Sequence, residues 1–372
     1  MGLPTEAPTT ADPPVVPEDF AGLFAGFRGR LGRALASLLA AKREEALAAG
    51  SPELLDLIEG VGELATHGGK RLRPALVYYT YRACGGTSEE EVLPMSLATE
   101  LLHTYLLIHD DIMDHAEVRR GQPTVHVRFR DLHRAQGLHG DADDFGRSVG
   151  ILVGDLAHTW AVELAAAAAA GRSELDRCFA QMCQEVIGGQ YLELQVAQRR
   201  AATEEELLRV LRLKSGRYTA ERPIQLGALL AGAPQKVWTE LCRYGRAMGE
   251  AFQLQDDLLG MFGDPETLGK PVDADLKEGK FTFLIHHALE RAAPEQRRAL
   301  ESALGNPEIT REQTAGAIRV LGETRAREAV TEMIGERLRA ARAALAGLAP
   351  DLAPDGRLFL EGLIDYLKER ER

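Results

Sequence analysis

Only four cysteines occur in the 372 residues, Cys84, Cys178, Cys183 and Cys242, and no pair has a CxxC spacing. That excludes a disulfide framework, a zinc ribbon and a dithiol redox centre, and it points to reduced, mostly buried thiols. Aromatic residues make up 6% of the chain. So few argue against a β-sandwich or barrel, and the abundant alanine favours helices. Positive charge is short as well: 44 Lys and Arg against 56 Asp and Glu leave a net charge of −12. A protein that binds nucleic acid with its whole surface is excluded by that balance, whereas a local basic patch is not. The start, MGLPTEAPTTADPPVVPEDF, has acids and prolines where a secretory signal needs a basic stretch followed by an apolar one. The most membrane-like window, Leu164–Ala170, is short and sits between Glu163 and Arg172. It is expected to be a tightly packed internal helix, in a cytoplasmic protein without stable membrane insertion.

What the chain does have is helical patterning and a composition suited to a large core, 45% hydrophobic and 27% charged. Residues 1–18 are rich in Pro and Thr and are expected to form a flexible tail, with residues 19–372 as a single all-α domain. Leu31, Leu35, Leu38 and Leu39 recur at helical spacing. Leu97–Ile108 is almost wholly apolar, as a central buried helix would be. Further helices are expected over Leu175–Gln198, Glu204–Lys214, Val237–Phe262, Phe281–Arg291, Ile309–Val320 and Arg325–Ala346. No stretch alternates well enough for a strand. Arg130–Phe145, rich in His, Gly and Asp, is expected to be a surface loop.

Two acidic clusters follow apolar helices. In His109-Asp110-Asp111-Ile112-Met113-Asp114, the aspartates at 110 and 114 are neighbours on one helix face. They repel each other, and near a helix C-terminus each opposes the macrodipole by about 0.3–1 kcal/mol. A hard divalent cation such as Mg²⁺ reverses that sign, because it takes carboxylate oxygens together with phosphate and water. A single such cluster could also be a solvated acidic helix end. The second, Asp256-Asp257 after Phe252-Gln-Leu-Gln, makes a pair able to hold several ions around a diphosphate. Basic groups accompany both. Gly68-Gly69-Lys70-Arg71-Leu-Arg73-Pro74 forms a cationic turn before a helix. Arg119-Arg120 follows the first cluster, Lys214-Ser215 follows a helix, and Lys270 and Lys280 flank the acidic stretch after the second cluster.

GGKRLRP, HDDIMDHAEVRRG, KSGRYT, FQLQDDLLG and GKPVDADLKEGK stand in that order along the chain. Together they resemble the motifs of the trans-isoprenyl diphosphate synthases, the polyprenyl synthetase family, from about Gly68 to Lys280. The resemblance implies an all-α bundle with a deep apolar cavity, working as a homodimer. It implies head-to-tail condensation: an allylic diphosphate ionises, isopentenyl diphosphate attacks the cation, and a proton is lost, with the released diphosphate as the usual base. Asp110, Asp114 and Asp256 would be the main ligands of three Mg²⁺ ions, with Asp111 and Asp257 in support. Lys70, Arg73, His103 and Arg120 would hold isopentenyl diphosphate. Arg119, Lys214, Ser215, Gln253 and Lys270 would hold the allylic diphosphate, with Lys280 closing over it.

Two departures from the family pattern stand out. Gly260 replaces a third aspartate of the second cluster, and Asp264 is a nearby candidate to compensate. Ser215 takes the place of the usual threonine and keeps a hydroxyl. Short-chain members tend to carry an aromatic at the position of Tyr105, and there is no insertion in the first aspartate motif. That combination resembles the geranylgeranyl type, with Tyr105 as the floor for chain growth and farnesyl or longer products as alternatives. A class I terpene cyclase would need no second diphosphate site and uses an Asn/Ser/Glu triad. A non-catalytic regulatory homologue would have lost aspartates or the Lys70/Arg73 grip, and this chain retains both.

Overall fold

The computed structural model describes residues 19–263 and 274–369. Asp19 caps the first helix, accepting a hydrogen bond from the Gly22 amide at 2.7 Å. Helices α1 (Phe20–Ala48), α2 (Leu54–Thr66) and α3 (Leu72–Ala83) lead to α4 (Glu89–Met113), whose first turn carries three acids behind the Ser88 cap. Acids there complement the helix dipole. Buried Leu97, Ala98, Leu101, Leu102, Thr104 and Ile108 make α4 the central helix expected over Leu97–Ile108. It packs mainly on α3 and on α6 (Ala142–Ala169). The chain continues through α7 (Ser173–Arg199) and α8 (Glu204–Val210), the latter closed by a capping box between Thr203 and Glu206. Then come a π-helical segment (Leu211–Glu221), α9 (Arg222–Leu230) and α10 (Gln235–Phe262). Six more helices run over Ala274–Lys277, Phe283–Arg291, Pro294–Ala303, Arg311–Glu323, Ala326–Ala346 and Pro354–Glu369. The fold is all-α, and among the described residues strand pairing is limited to Val118–Arg119 against Gln122–Pro123.

Two expectations need correction. Most of Arg130–Phe145 is helical: α5 spans Val125–Ala135, and α6 has already begun at Ala142. The charged residues there hide a buried face of Val125, Val127, Phe129 and His133. Asp141 caps α6 by accepting from the Asp144 amide at 2.8 Å, and only the short connection with left-handed Gly137 and Gly140 is irregular. The second concerns the alanine run, which belongs to α6. This helix is long and apolar enough to cross a membrane by composition, yet it packs against α4 and α5. It is not wholly internal, because Ile151, Leu152 and Val162 are exposed on its outer side.

Glycines set the closest helix crossings. A Cβ at Gly189 of α7 would come within 3.0 Å of the Leu213 and Lys214 backbone, and one at Gly249 of α10 would do the same to Gly216. The π-helical segment is therefore clamped between α7 and α10, main chain against main chain.

Candidate active site

Asp110 and Asp111 lie in the last turn of α4, and Asp114 is its C-cap residue. The three carboxylates have different surroundings. Asp111 is buried and bound by Arg119, whose Nε and Nη2 approach Oδ1 at 2.6 and 2.5 Å. That pair stays inside the protein, so Arg119 is engaged beneath α4. Asp110 faces the Lys214 ammonium at 3.9 Å. Asp114 has its carboxyl pushed up to about 7 by burial, by Asp110 and by Glu278, and its Oδ2 is buried with no hydrogen-bond partner among the described residues.

The second cluster lies near the end of α10. Asp257 accepts from the Gln253 side-chain amide at 2.7 Å, and burial with Asp275 nearby pushes its carboxyl up to about 8. Two lysines lie between the clusters. Lys214, placed by the π-helical segment, pairs with Glu193 of α7, and burial is outweighed by Glu193 and Asp110, which raise its pKa. Lys280 is half-buried yet firmly charged, held by Asp275 at 3.1 Å and Glu278 at 2.5 Å with Glu193 and Asp114 in range. Glu193, Lys214, Ser215, Gln253, Asp257 and Lys280 line one cleft. Lys270 and Asp264 lie outside the described residues.

A separate basic group forms around the start of α3. Gly68, Gly69 and Arg71 all adopt the left-handed conformation, and the Arg120 guanidinium lies across the glycines, donating to the His67 carbonyl at 2.7 Å. A side chain at Gly69 would meet that guanidinium, so the turn needs glycine. Arg73 sits 4.1 Å from the Tyr218 ring centroid, donates to Thr219 at 2.8 Å and reaches His103 Nε2 at 3.4 Å. His103 Nδ1 is 2.7 Å from the Tyr218 hydroxyl. Burial, then Arg73 and Arg120, drive its pKa well down and keep the ring neutral. A guanidinium can only donate, so Nε2 accepts and Nδ1 carries the proton. Lys70 is exposed, its ammonium 5.9 Å from the Phe252 ring centroid on α10.

The structure thus brings Lys214, Ser215, Gln253 and Lys280 together and places Arg73, His103 and Arg120 in one basic neighbourhood. Tyr105 is half-buried and points toward α6, its ring 4.7 Å from that of His109 and 4.8 Å from that of His158. At 100° per residue it lies about 140° around α4 from Asp110. Sequence reasoning passed over Glu193, Glu278, Asp275 and Tyr218. Glu193 is one acid in a long amphipathic helix, and nothing in its local spacing marks it. Asp275 and Glu278 lie within GKPVDADLKEGK, where the two lysines drew the attention.

The polyprenyl synthetase family model matches residues 56–321. The chain is 36% identical over 256 residues to the short chain isoprenyl diphosphate synthase of Methanocaldococcus jannaschii, covering 68% of this chain and 72% of that protein. It is 34% identical over 283 residues to the geranylgeranyl diphosphate synthase of Methanosarcina mazei, covering 75% and 79%. The crystal structure of geranylgeranyl pyrophosphate synthase from Corynebacterium glutamicum, complexed with isoprenyl diphosphate and magnesium, superposes with a TM-score of 0.87 at 33% identity, over 93% of this chain and 99% of that one. With its two aspartate clusters gathered around shared lysines in an all-α fold, the chain belongs to the polyprenyl synthetase family and is an isoprenyl diphosphate synthase.

Proposed function

We propose that this enzyme condenses isopentenyl diphosphate with allylic diphosphates to make the twenty-carbon, all-trans geranylgeranyl diphosphate. The observation that carries the reading is the enclosure of Lys214 and Lys280 between two helix-borne aspartate clusters. Asp110, Asp114 and Asp256 would hold Mg²⁺, three ions by family resemblance. The donor set suits that ion: all hard carboxylate oxygens, including the buried Oδ2 of Asp114, which has no hydrogen-bond partner among the described residues. Bound there, the cation neutralises the negative charge that gathers on a departing diphosphate.

The chain's own side chains supply the rest. Lys214 and Lys280 add fixed positive charge where the allylic C–O bond breaks, and Ser215 and Gln253 orient the same diphosphate. Lys70, Arg73 and Arg120 hold isopentenyl diphosphate at the α3 turn. His103, neutral and bonded to Tyr218, positions the Arg73 guanidinium. Apolar side chains along α4 exclude the water that would quench a carbocation. Asp111 locks Arg119 and so supports the first cluster from below.

Tyr105, wedged between His109 and His158, would set the depth available to the growing chain. The exposed apolar stripe of Ile187, Tyr191 and Leu194 on α7, together with exposed Leu152 and Val162 on α6, suits the interface of a homodimer. Incubation with Mg²⁺, labelled isopentenyl diphosphate and each allylic primer, followed by product sizing, tests the activity and the length together. Absence of any elongated product refutes the reading. Light scattering that returned the 40.6 kDa monomer mass would refute the dimer.

A further inference from the structure

Gly260 occupies the third position of the second cluster, four residues after Asp256 and therefore beside it on the same face of α10. An acid at that position would extend the cluster by one ligand, yet the helix has no side chain there. The space is not empty. A Cβ built on Gly260 comes within 3.0 Å of Oδ2 of Asp275, closer than real side chains approach. Asp275 belongs to the short helix Ala274–Lys277, which packs on α10. Its Oδ1 accepts from Lys280 at 3.1 Å, and its Oδ2 lies against Gly260. Asp275 is also close enough to act on the ionisation of Asp257.

From this juxtaposition we infer that Asp275 is the third acidic residue of the second metal cluster, delivered through space to the position left open by Gly260. Glycine at 260 and aspartate at 275 are then two halves of one arrangement. With glycine at 260 the carboxylate of Asp275 occupies the space that a side chain there would take. The short helix that carries Asp275 also leads into Lys280, so one element supplies both an anion for the metal and a cation for the diphosphate. This inference rests on the proposed metal-dependent diphosphate chemistry.

The test is a Mg²⁺ titration of the full chain in saturating inorganic pyrophosphate, read by calorimetry and by thermal shift. Asp275→Ala is expected to raise the half-saturating Mg²⁺ concentration by about tenfold or more. Asp275→Asn, nearly isosteric and able to keep a hydrogen bond to its neighbours, is expected to show the same shift. The double variant Gly260→Asp/Asp275→Ala, in which the collision is removed and the acid restored on α10, is expected to return to within about threefold of the parent. A role confined to orienting Lys280 would not be rescued from position 260. Parent-like titration of Asp275→Asn, or a folded double variant as impaired as Asp275→Ala, overturns the inference alone. A parent protein that binds pyrophosphate without any response to Mg²⁺ overturns the proposed function, and this inference with it.

Discussion

The Lys214 ammonium stands 3.9 Å from the Asp110 carboxylate while Glu193 grips it from α7, so one cation of the π-helical segment is shared by acids of two helices. In the proposed division Lys214 serves the allylic diphosphate, and Arg73, with His103 and Tyr218 beside it, serves isopentenyl diphosphate. The two diphosphate sites should therefore separate kinetically. Lys214→Ala is expected to raise the KM for the allylic primer more than tenfold while leaving that for isopentenyl diphosphate within about threefold. Lys70→Ala and Arg73→Ala should do the reverse. Steady-state kinetics with each substrate varied in turn decides it, and equal effects on both substrates from all three variants would refute the division.

Asp110 and Asp114 repel each other across one turn, so the first cluster is adapted to charge it must bind and is poorly adapted to stability. Asp110→Asn should leave the melting temperature in chelator unchanged or slightly higher. Turnover should fall by about two to three orders of magnitude, the usual cost of losing a charge-stabilising group. Normal turnover in Mg²⁺ would contradict the role given to this aspartate.

Asp114 and Asp257 carry carboxyls pushed up to about 7 and about 8, against an ordinary value near 4. Between about pH 4 and 8 the folded protein retains protons that the unfolded chain has released, so its stability falls as pH rises. Their contribution is complete below the ordinary carboxylate range and is lost as pH passes through 7 and 8. In chelator, the melting temperature should decline from pH 5 to pH 8, and Asp257→Asn should flatten that decline. A variant with the parent's slope would show that Asp257 does not titrate in this window.

Tyr105→Ala opens space between α4 and α6 where the phenol ring meets His109 and His158. The expected outcome is a product longer by one or more five-carbon units with activity retained. Chromatography of the hydrolysed products is the measurement, and an unchanged spectrum would move the floor elsewhere.

The helices and the ordered motifs were legible because they are written in local periodicity and in residue types with few structural uses, such as paired aspartates at a helix end. The helical part of Arg130–Phe145 was not legible, since its buried face is spread among charged residues that dominate the composition. Glu193 and Asp275 escaped for another reason. Their roles depend on which partners arrive from elsewhere: Lys214 from the π-helical segment, and the vacant face of Gly260 from α10. Likewise, residue type alone does not separate the adjacent acids Asp110 and Asp111, whereas the contact of Arg119 with Asp111 does.

The glycine crossings at Gly189 and at Gly216 with Gly249 carry an evolutionary consequence. Where main chain meets main chain there is no side-chain volume to trade, so the gauge between α7, the Lys214 segment and α10 cannot be adjusted by small substitutions. Drift is confined to places with exchangeable volume, such as the wall around Tyr105. Under the role proposed for Tyr105, a lineage with this architecture can change how long a molecule it makes far more readily than the spacing of the machinery that makes it.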